Sequence, residues 1–236
     1  MRPRVVAIVP AAGYGKRLGA RVKKPFALLG GKPLVSYALK ALDDCRTIDA
    51  IIVATERSCV RRMNGVARRF KIRKLMDVIV GGKTRFESVR NCVDRVGPSF
   101  DIILIHDAAR PFVDKRIVER AIRAAVKFGA SIAAVPESDT IKLADRNLFV
   151  KKTLDREAIF RAQTPQAFRY SIIKKAYSAN VTGNITDDAS LAEGRVRVKI
   201  IEGAYKNLKI TTKEDLKIAE ALLCAPHLLN KIYIKS

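Results

Sequence analysis

Short apolar runs rich in β-branched residues recur along the chain at Val5–Val9, Ala50–Ala54, Val78–Val80, Ile102–Ile105 and Ser131–Val135. Between them lie Pro33–Leu42, Ser58–Phe70, Phe86–Val96 and Arg116–Phe128, whose apolar residues fall mostly three or four apart with basic residues on the other side. The first pattern predicts strands buried on both faces and the second predicts amphipathic helices. Their alternation predicts a doubly wound α/β unit with a mostly parallel twisted sheet and right-handed crossovers. Ligands of such a sheet bind at the carboxyl ends of its strands.

After Pro136 the pattern changes to a polar stretch, Glu137–Arg156, with short alternating pieces such as Thr140-Ile141-Lys142-Leu143. It predicts an extended, protruding β-arm suited to dimerisation. A helix at Ser171–Ser178, strands near Val198–Ile201 and Leu208–Ile210, and a final helix at Lys213–Leu223 follow, with Thr211 and Thr212 as N-cap candidates. No internal repeat, low-complexity tract or linker interrupts the chain, so residues 1–236 read as one domain carrying 137–156 as an arm.

Composition adds limits. Of 236 residues 48% are hydrophobic, enough for a packed core, while 46 Lys+Arg against 23 Asp+Glu leave a net charge of +23 and point to anionic partners. Four cysteines without a C-x-x-C pair and only two histidines argue against a zinc site and for a reducing compartment. Neither His106 nor His227 stands in the context of a Ser-His-Asp triad. No apolar run reaches the ~18 residues of a membrane span. The N-terminus enters its first strand with no room for a signal or transit peptide, so a cytoplasmic protein with no membrane partner is expected.

The first strand leads into Pro10-Ala11-Ala12-Gly13-Tyr14-Gly15-Lys16-Arg17-Leu18-Gly19, with Lys23 and Lys24 just beyond. Small residues let backbone N–H groups approach phosphate oxygens, and adjacent cations neutralise them. Leu18 stands where a dinucleotide fingerprint needs Gly or Ala, so a nucleoside triphosphate fits better. Gly81-Gly82-Lys83-Thr84 imitates a P-loop, but Asp77 occupies the position of its first glycine; what remains is a tight turn into a helix. At the end of the Ile102–Ile105 run, His106-Asp107-Ala108-Ala109-Arg110-Pro111 places an acid beside an arginine, suited to a metal or a sugar hydroxyl, with His106 read as a strand residue rather than a general base.

Taken in order, Ala11-Ala12-Gly13-x-Gly15-x-Arg17, Gly81-Gly82-x-x-Arg85-x-x-Ser88-Val89, His106-Asp107-Ala108-Ala109-Arg110-Pro111, Asp139-Thr140, Asp155-Arg156, Thr164-Pro165-Gln166 and Thr186-Asp187-x-Ala189-Ser190 resemble one family, the 2-C-methyl-D-erythritol 4-phosphate cytidylyltransferases. The resemblance runs from the first strand to Lys209 and the last helix. It implies a Rossmann-like nucleotidyltransferase that joins CTP and 2-C-methyl-D-erythritol 4-phosphate, releasing pyrophosphate, in non-mevalonate isoprenoid biosynthesis. Mg²⁺ is the implied cofactor, held mainly by the CTP phosphates with Asp107 as candidate protein ligand. A homodimer formed through the arm is implied as well.

On the same basis Arg17, Lys24, Lys209 and Asp107 are the implied catalytic residues. Ala11, Ala12, Gly13, Gly15, Gly82, Arg85 and Ser88 would hold the nucleotide, the last of these near the cytosine edge. Asp107, Arg110, Thr140, Arg156, Thr164 and Thr186, with Asp187, would hold the sugar substrate, Thr140 and Arg156 reaching it from the partner subunit. Two positions depart from the family's pattern, Lys23-Lys24-Pro25 and Phe86. Proline restricts the residue before it to extended angles, an expectation that would draw Lys24 off its post.

A phosphate monoester is largely a dianion at neutral pH and needs no general base to attack phosphorus, which agrees with the scarcity of histidine. Ribitol 5-phosphate or another alditol phosphate is the alternative acceptor, because pocket shape alone separates the two. A nucleic-acid partner is the remote alternative, raised by Arg57, Arg61, Arg62, Arg68, Arg69, Lys71, Arg73 and Lys74 and weakened by the lack of an aromatic-rich RNA motif.

Overall fold

The computed structural model describes residues 2–13, 15–19, 23–179, 185 and 187–224. In chain order its strands are β1 (Val5–Pro10), β2 (Leu28–Leu29), β3 (Lys32–Pro33), β4 (Ala50–Thr55), β5 (Leu75–Val80), β6 (Ile102–Ile105), β7 (Ala130–Pro136), β8 (Lys142–Ala144), β9 (Val150–Thr153), β10 (Phe160–Arg169) and β11 (Val198–Glu202). The α-helices are α1 (Leu34–Asp43), α2 (Val60–Arg69), α3 (Arg85–Arg95), α4 (Lys115–Phe128), α5 (Tyr170–Ser178), α6 (Ala189–Ala192) and α7 (Lys213–Cys224).

Seven strands form one sheet in the order β11-β7-β10-β6-β1-β4-β5, parallel throughout except for β10. Alternate residues of each central strand feed opposite faces. Val5, Ala7 and Val9 join Ile51, Val53, Ile102 and Leu104 in a core covered by α1, α2 and α4. Val6 and Ile8 join Ile52, Ile103 and Ile105 in a second core under α3, α5 and α6. Apolar residues at every position of these strands are what a sheet buried on both faces requires. The chain passes from β1 through β4 to β5 and then returns across β1 to β6, which puts the switch point, and the expected ligand crevice, at the carboxyl ends of β1 and β6.

A third, smaller cluster lies beneath that crevice: Leu18, Ala27, Leu29, Leu34, Ala109, Ile210 and Ala219. These residues come from the segments around Leu18, Ala27, Ala109 and Ile210, from β2, from the start of α1 and from α7, so one patch of apolar contact sets the heights of the segments bearing Arg17, Lys24, Arg110 and Lys209. The α7 N-terminus is closed by a capping box in which Thr212 Oγ1 accepts the Asp215 N–H at 3.2 Å and the Asp215 carboxylate accepts the Thr212 N–H at 2.8 Å.

Three expectations need correction. β10 is absent from the sequence reading, yet it lies between β6 and β7, antiparallel to both. Leu208–Ile210 is not a strand; its backbone is tied to the crevice by the Ile210 N–H donating to the Ala109 carbonyl at 2.9 Å. The residue before Pro25 is not extended: Lys24–Phe26 form a 3-10 turn, with Phe26 N–H donating to Lys23 C=O and Ala27 N–H to Lys24 C=O. Pro25 occupies the first turn, where its missing N–H costs nothing.

The 137–156 segment contains the hairpin β8–β9, whose residues are exposed and pair with each other. Phe86 stacks on Tyr177 with ring centroids 4.9 Å apart and belongs to the second core.

Candidate active site

At the carboxyl ends of β1 and β6 the structure opens a cavity of about 470 Å³. It gathers Ala11, Ala12, Gly13, Gly15, Arg17, Lys24, Gly82, Arg85, Ser88, Asp107 and Lys209 from separate segments of the chain. A second chamber of about 180 Å³ is lined by Arg110, Thr164, Gln163, Gln166 and Asp187. Arg85, Asp107 and Lys209 line both, so these three side chains form the wall between them. Thr140 and Arg156 line neither; both are exposed in the 137–156 segment. Thr186 lies outside the described residues.

The post-β1 loop is shaped by backbone. Gly15 sits at φ +64°, and a Cβ there would fall 2.7 Å from the Lys24 Cβ, so glycine alone lets Lys24 pass beside the loop. Lys24 is pulled down to a pKa of about 8, by burial first and then by Lys209 and Arg17, against the opposing pull of Asp107 and Asp215. Burial is the larger cause and the Lys209 and Arg17 charges add to it, so an anion bound among the three cations would restore the Lys24 charge.

On the opposite rim, Thr84 caps α3 by accepting the Glu87 N–H at 3.1 Å, and the Glu87 carboxylate accepts the Lys83 N–H at 2.6 Å. Buried Ser88 has its hydroxyl engaged, accepting from Gly82 N–H at 3.1 Å and donating to Thr84 C=O at 2.9 Å. Ser88 therefore fixes the Gly81–Gly82 turn. A Cβ on Gly82 would fall 2.2 Å from the Glu87 Cβ, which requires glycine there.

Asp107 is the hub. Its carboxylate accepts from Lys209 Nζ at 2.7 Å and from Arg85 Nε at 3.2 Å, with Arg110 Nε at 3.8 Å. Burial would push its pKa up, but Arg85, Lys209 and Arg110 outweigh burial and hold it far below the usual carboxylate range. Arg85 in turn forms a two-pronged pair with fully buried Asp188 at 2.9 and 2.6 Å, and Tyr177 donates its hydroxyl to the same carboxylate. Burial disfavours the Arg85 charge, yet Asp188 and Asp107 raise its pKa. Buried Tyr177 is likewise pushed up, by burial and by Asp188. The guanidinium expected to grip nucleotide is thus committed largely to aligning Asp107.

Arg110 links the Asn207 loop to β10. Its guanidinium donates to Asn207 C=O at 2.6 Å and to Ala162 C=O at 3.4 Å, and the Asn207 side chain donates to Thr164 C=O at 2.8 Å and Gln163 Oε1 at 3.1 Å. This web holds the loop that delivers Lys209.

Asp188, Tyr177, Gln163 and Asn207 are the participants that sequence reasoning missed; only the paired acids Asp187-Asp188 carried a local signal. Lys83 and Thr211 also line the larger cavity. Of the basic run on α2, Arg61, Arg68 and Arg69 are exposed, Arg62 covers the Phe26 ring at 4.3 Å, and Lys74 donates to the Cys45 carbonyl. No helix among the described residues is long and apolar enough to cross a membrane.

A family model described as 2-C-methyl-D-erythritol 4-phosphate cytidylyltransferase matches residues 5–225. Curated proteins of that name are similar over nearly their whole length. The one from Geobacillus thermodenitrificans is 46% identical over 93% of this chain and 96% of its own. The one from Syntrophus aciditrophicus is 40% identical over 94% and 97%. Among solved structures, the 4-diphosphocytidyl-2C-methyl-D-erythritol synthase of Anaerococcus prevotii superposes with a TM-score of 0.84 at 28% identity, covering 94% of this chain and 96% of that one. The 2-C-methyl-D-erythritol 4-phosphate cytidylyltransferase of Thermus thermophilus gives 0.75 at 30%, covering 94% and 98%.

Proposed function

The chain belongs to the 2-C-methyl-D-erythritol 4-phosphate cytidylyltransferase family, and on that premise we propose how its two chambers divide the reaction. The larger cavity takes CTP and the smaller takes 2-C-methyl-D-erythritol 4-phosphate. A phosphate oxygen of the sugar alcohol attacks the α-phosphorus of CTP, the bond to the β-phosphate breaks, and 4-diphosphocytidyl-2-C-methyl-D-erythritol and pyrophosphate leave. The observation that carries this reading is the shared wall of Lys209, Asp107 and Arg85, where the two chambers meet.

The acceptor phosphate is already an anion, so catalysis consists of alignment and charge neutralisation. Arg17 and Lys24 face the triphosphate, and Lys209 approaches the α-phosphate from the wall. Asp107 holds Lys209 at 2.7 Å before the nucleotide arrives and keeps its direction. The Gly81–Gly82 turn, set by Ser88, and the Ala11–Gly13 backbone offer polar groups to the base.

The described residues contain no group of three His, Cys, Asp or Glu side chains that could hold a metal, and the Asp107 oxygens are taken by Lys209 and Arg85. They do not fit as a resident metal site, so Mg²⁺ belongs with the triphosphate as part of the substrate, and Asp107 is assigned to the cations instead.

For the arm we propose pairing with a second copy of the chain. Leu143, Leu148, Phe149 and Val150 are 49–85% exposed on the hairpin, an apolar surface that a partner would cover. Thr140 and Arg156 would then serve the partner's smaller chamber, and residues 1–236 would act as one domain with 137–156 as its arm. A cytoplasmic setting suits the free thiols Cys45, Cys59 and Cys92 and the use of CTP.

The test is pyrophosphate release with CTP and Mg²⁺, run in parallel with 2-C-methyl-D-erythritol 4-phosphate, ribitol 5-phosphate and no acceptor. Turnover only with the first is expected. Turnover only with ribitol 5-phosphate would keep the chemistry and replace the acceptor, and silence with both would overturn the assignment.

A further inference from the structure

His106 is fully buried at the end of β6, and the reaction as described above gives it no task. Its surroundings give it one. The Asp107 N–H donates to Thr164 Oγ1 at 3.0 Å, and the same oxygen lies 3.0 Å from His106 Nδ1. The other ring nitrogen, Nε2, lies 3.1 Å from the Arg110 carbonyl. A carbonyl only accepts, so Nε2 carries the hydrogen. Nδ1 is then left to accept, and the Thr164 hydroxyl supplies the hydrogen. Thr164 Oγ1 spends one lone pair on Asp107 and its only hydrogen on His106, and one lone pair remains on a residue that lines the smaller chamber.

We propose that His106 is a positioning residue that fixes the direction of the Thr164 hydroxyl, so that the smaller chamber presents there an oxygen able only to accept. The ligand group that fits is a substrate hydroxyl acting as donor. Burial, together with the neighbouring Arg110 charge, opposes an imidazolium at this place, in agreement with the neutral ring that the contacts require. The chamber also carries the opposite polarity: beside the Asp107 and Asp187 carboxylates, Arg85, Arg110 and Lys209 are donors only, suited to phosphate or hydroxyl oxygens. Acceptor and donor positions on one small chamber discriminate among polyols by the sense of each hydrogen bond as well as by shape.

The inference rests on the assignment of the smaller chamber to the alditol phosphate, and three variants separate the two claims. Thr164→Val removes the hydroxyl and is expected to raise the KM for the alditol phosphate about tenfold with the KM for CTP unchanged. His106→Leu leaves the hydroxyl free to rotate and is expected to raise the same KM several-fold. His106→Asn, whose side-chain oxygen stands near the place of Nδ1, is expected to recover most of that loss. Added to Thr164→Val, His106→Leu is expected to give no further rise in KM, because nothing remains for it to orient.

If Thr164→Val leaves the KM for the alditol phosphate alone, the chamber assignment fails. If Thr164→Val acts but His106→Leu raises both KM values alike, or adds its full effect to Thr164→Val, the positioning role of His106 is overturned and the chamber assignment stands. Should His106→Leu fold poorly, His106→Asn against Thr164→Val decides the same question: a KM for the alditol phosphate as high in His106→Asn as in Thr164→Val overturns the proposal.

Discussion

The loops after β1 and β6 face each other across the same crevice but are built on different principles. The post-β1 loop is made of small residues, and its shape comes from the backbone angle at Gly15; Arg17 is exposed to the cavity, where an incoming anion can meet it directly. The post-β6 loop is tied down by side chains: His106, Asp107 and Arg110 are buried and bonded to β10, to the Asn207 loop and to Arg85. On the proposed reading the first loop meets the triphosphate, while the second lines the smaller chamber and sets the positions of Arg85 and Lys209. Substitutions should therefore separate, with changes on the β1 side altering rate at constant stability and changes behind the β6 side altering both.

The strongest break of that contrast comes from the cations. Arg17→Ala and Lys209→Ala should each lower kcat by about 10²–10³-fold, because their charge acts on the transition state. Thermal melting of Arg17→Ala should stay within about 2 °C of the parent; near-normal turnover would remove either residue from the catalytic set. Next comes Asp188→Ala, which leaves the buried Arg85 guanidinium without its two-pronged partner and should cost about 3 kcal/mol in urea unfolding. An unchanged midpoint would mean that Arg85 finds another partner and the post-β6 side is less rigidly built than its contacts imply.

Gly15→Ala should raise the KM for CTP about tenfold, since the new methyl displaces Lys24 from the post-β1 side. A smaller, graded effect belongs to pH. Lys24 with a pKa of about 8 is charged below that value and neutral above it, so kcat/KM for CTP should fall above pH about 8, and Lys24→Arg should remove that fall. The folded pKa lies below the ordinary lysine value of 10.5, so between these values the unfolded chain holds more protons and stability rises with pH as Lys24 gives up its buried charge. The smallest effect is assigned to Arg156→Ala, which should raise the KM for the alditol phosphate several-fold and leave that for CTP alone. A selective CTP defect would place the hairpin at the other chamber.

The same contrast explains what the sequence made legible. β1, β4 and β6 are apolar on both faces, and α3 and α4 carry strong local periodicity, so the parallel half of the sheet was readable from pattern alone. The post-β1 loop was equally readable, because small residues and cations adjacent in sequence act while adjacent in space. β10 was not readable. Its core positions include Gln163, Thr164 and Gln166, with Pro165 among them, and these resemble a loop until Asn207, Ala189 and Asp187 arrive to satisfy them. Asp188 escaped for the same reason, because its partner Arg85 lies 103 residues away along the chain, and Tyr177 joins the pair only through Asp188. The expectation for Lys24 failed differently, because a local rule about proline gave way to a turn closed by two hydrogen bonds.

The place of β10 also governs how the molecule comes into being. It lies in the middle of the sheet, yet the ribosome delivers it after β7. Until Arg169 emerges, the nascent chain holds β6 and β7 with their facing edges bare, two apolar ribbons waiting for a strand that is still being translated. A polypeptide halted before that point holds most of the first core, lacks the α5 and α6 side chains of the second, and has no strand between β6 and β7. The step that joins β6 to β7 is also the step that brings Thr164 to His106, so the middle of the sheet and the first wall of the smaller chamber form together.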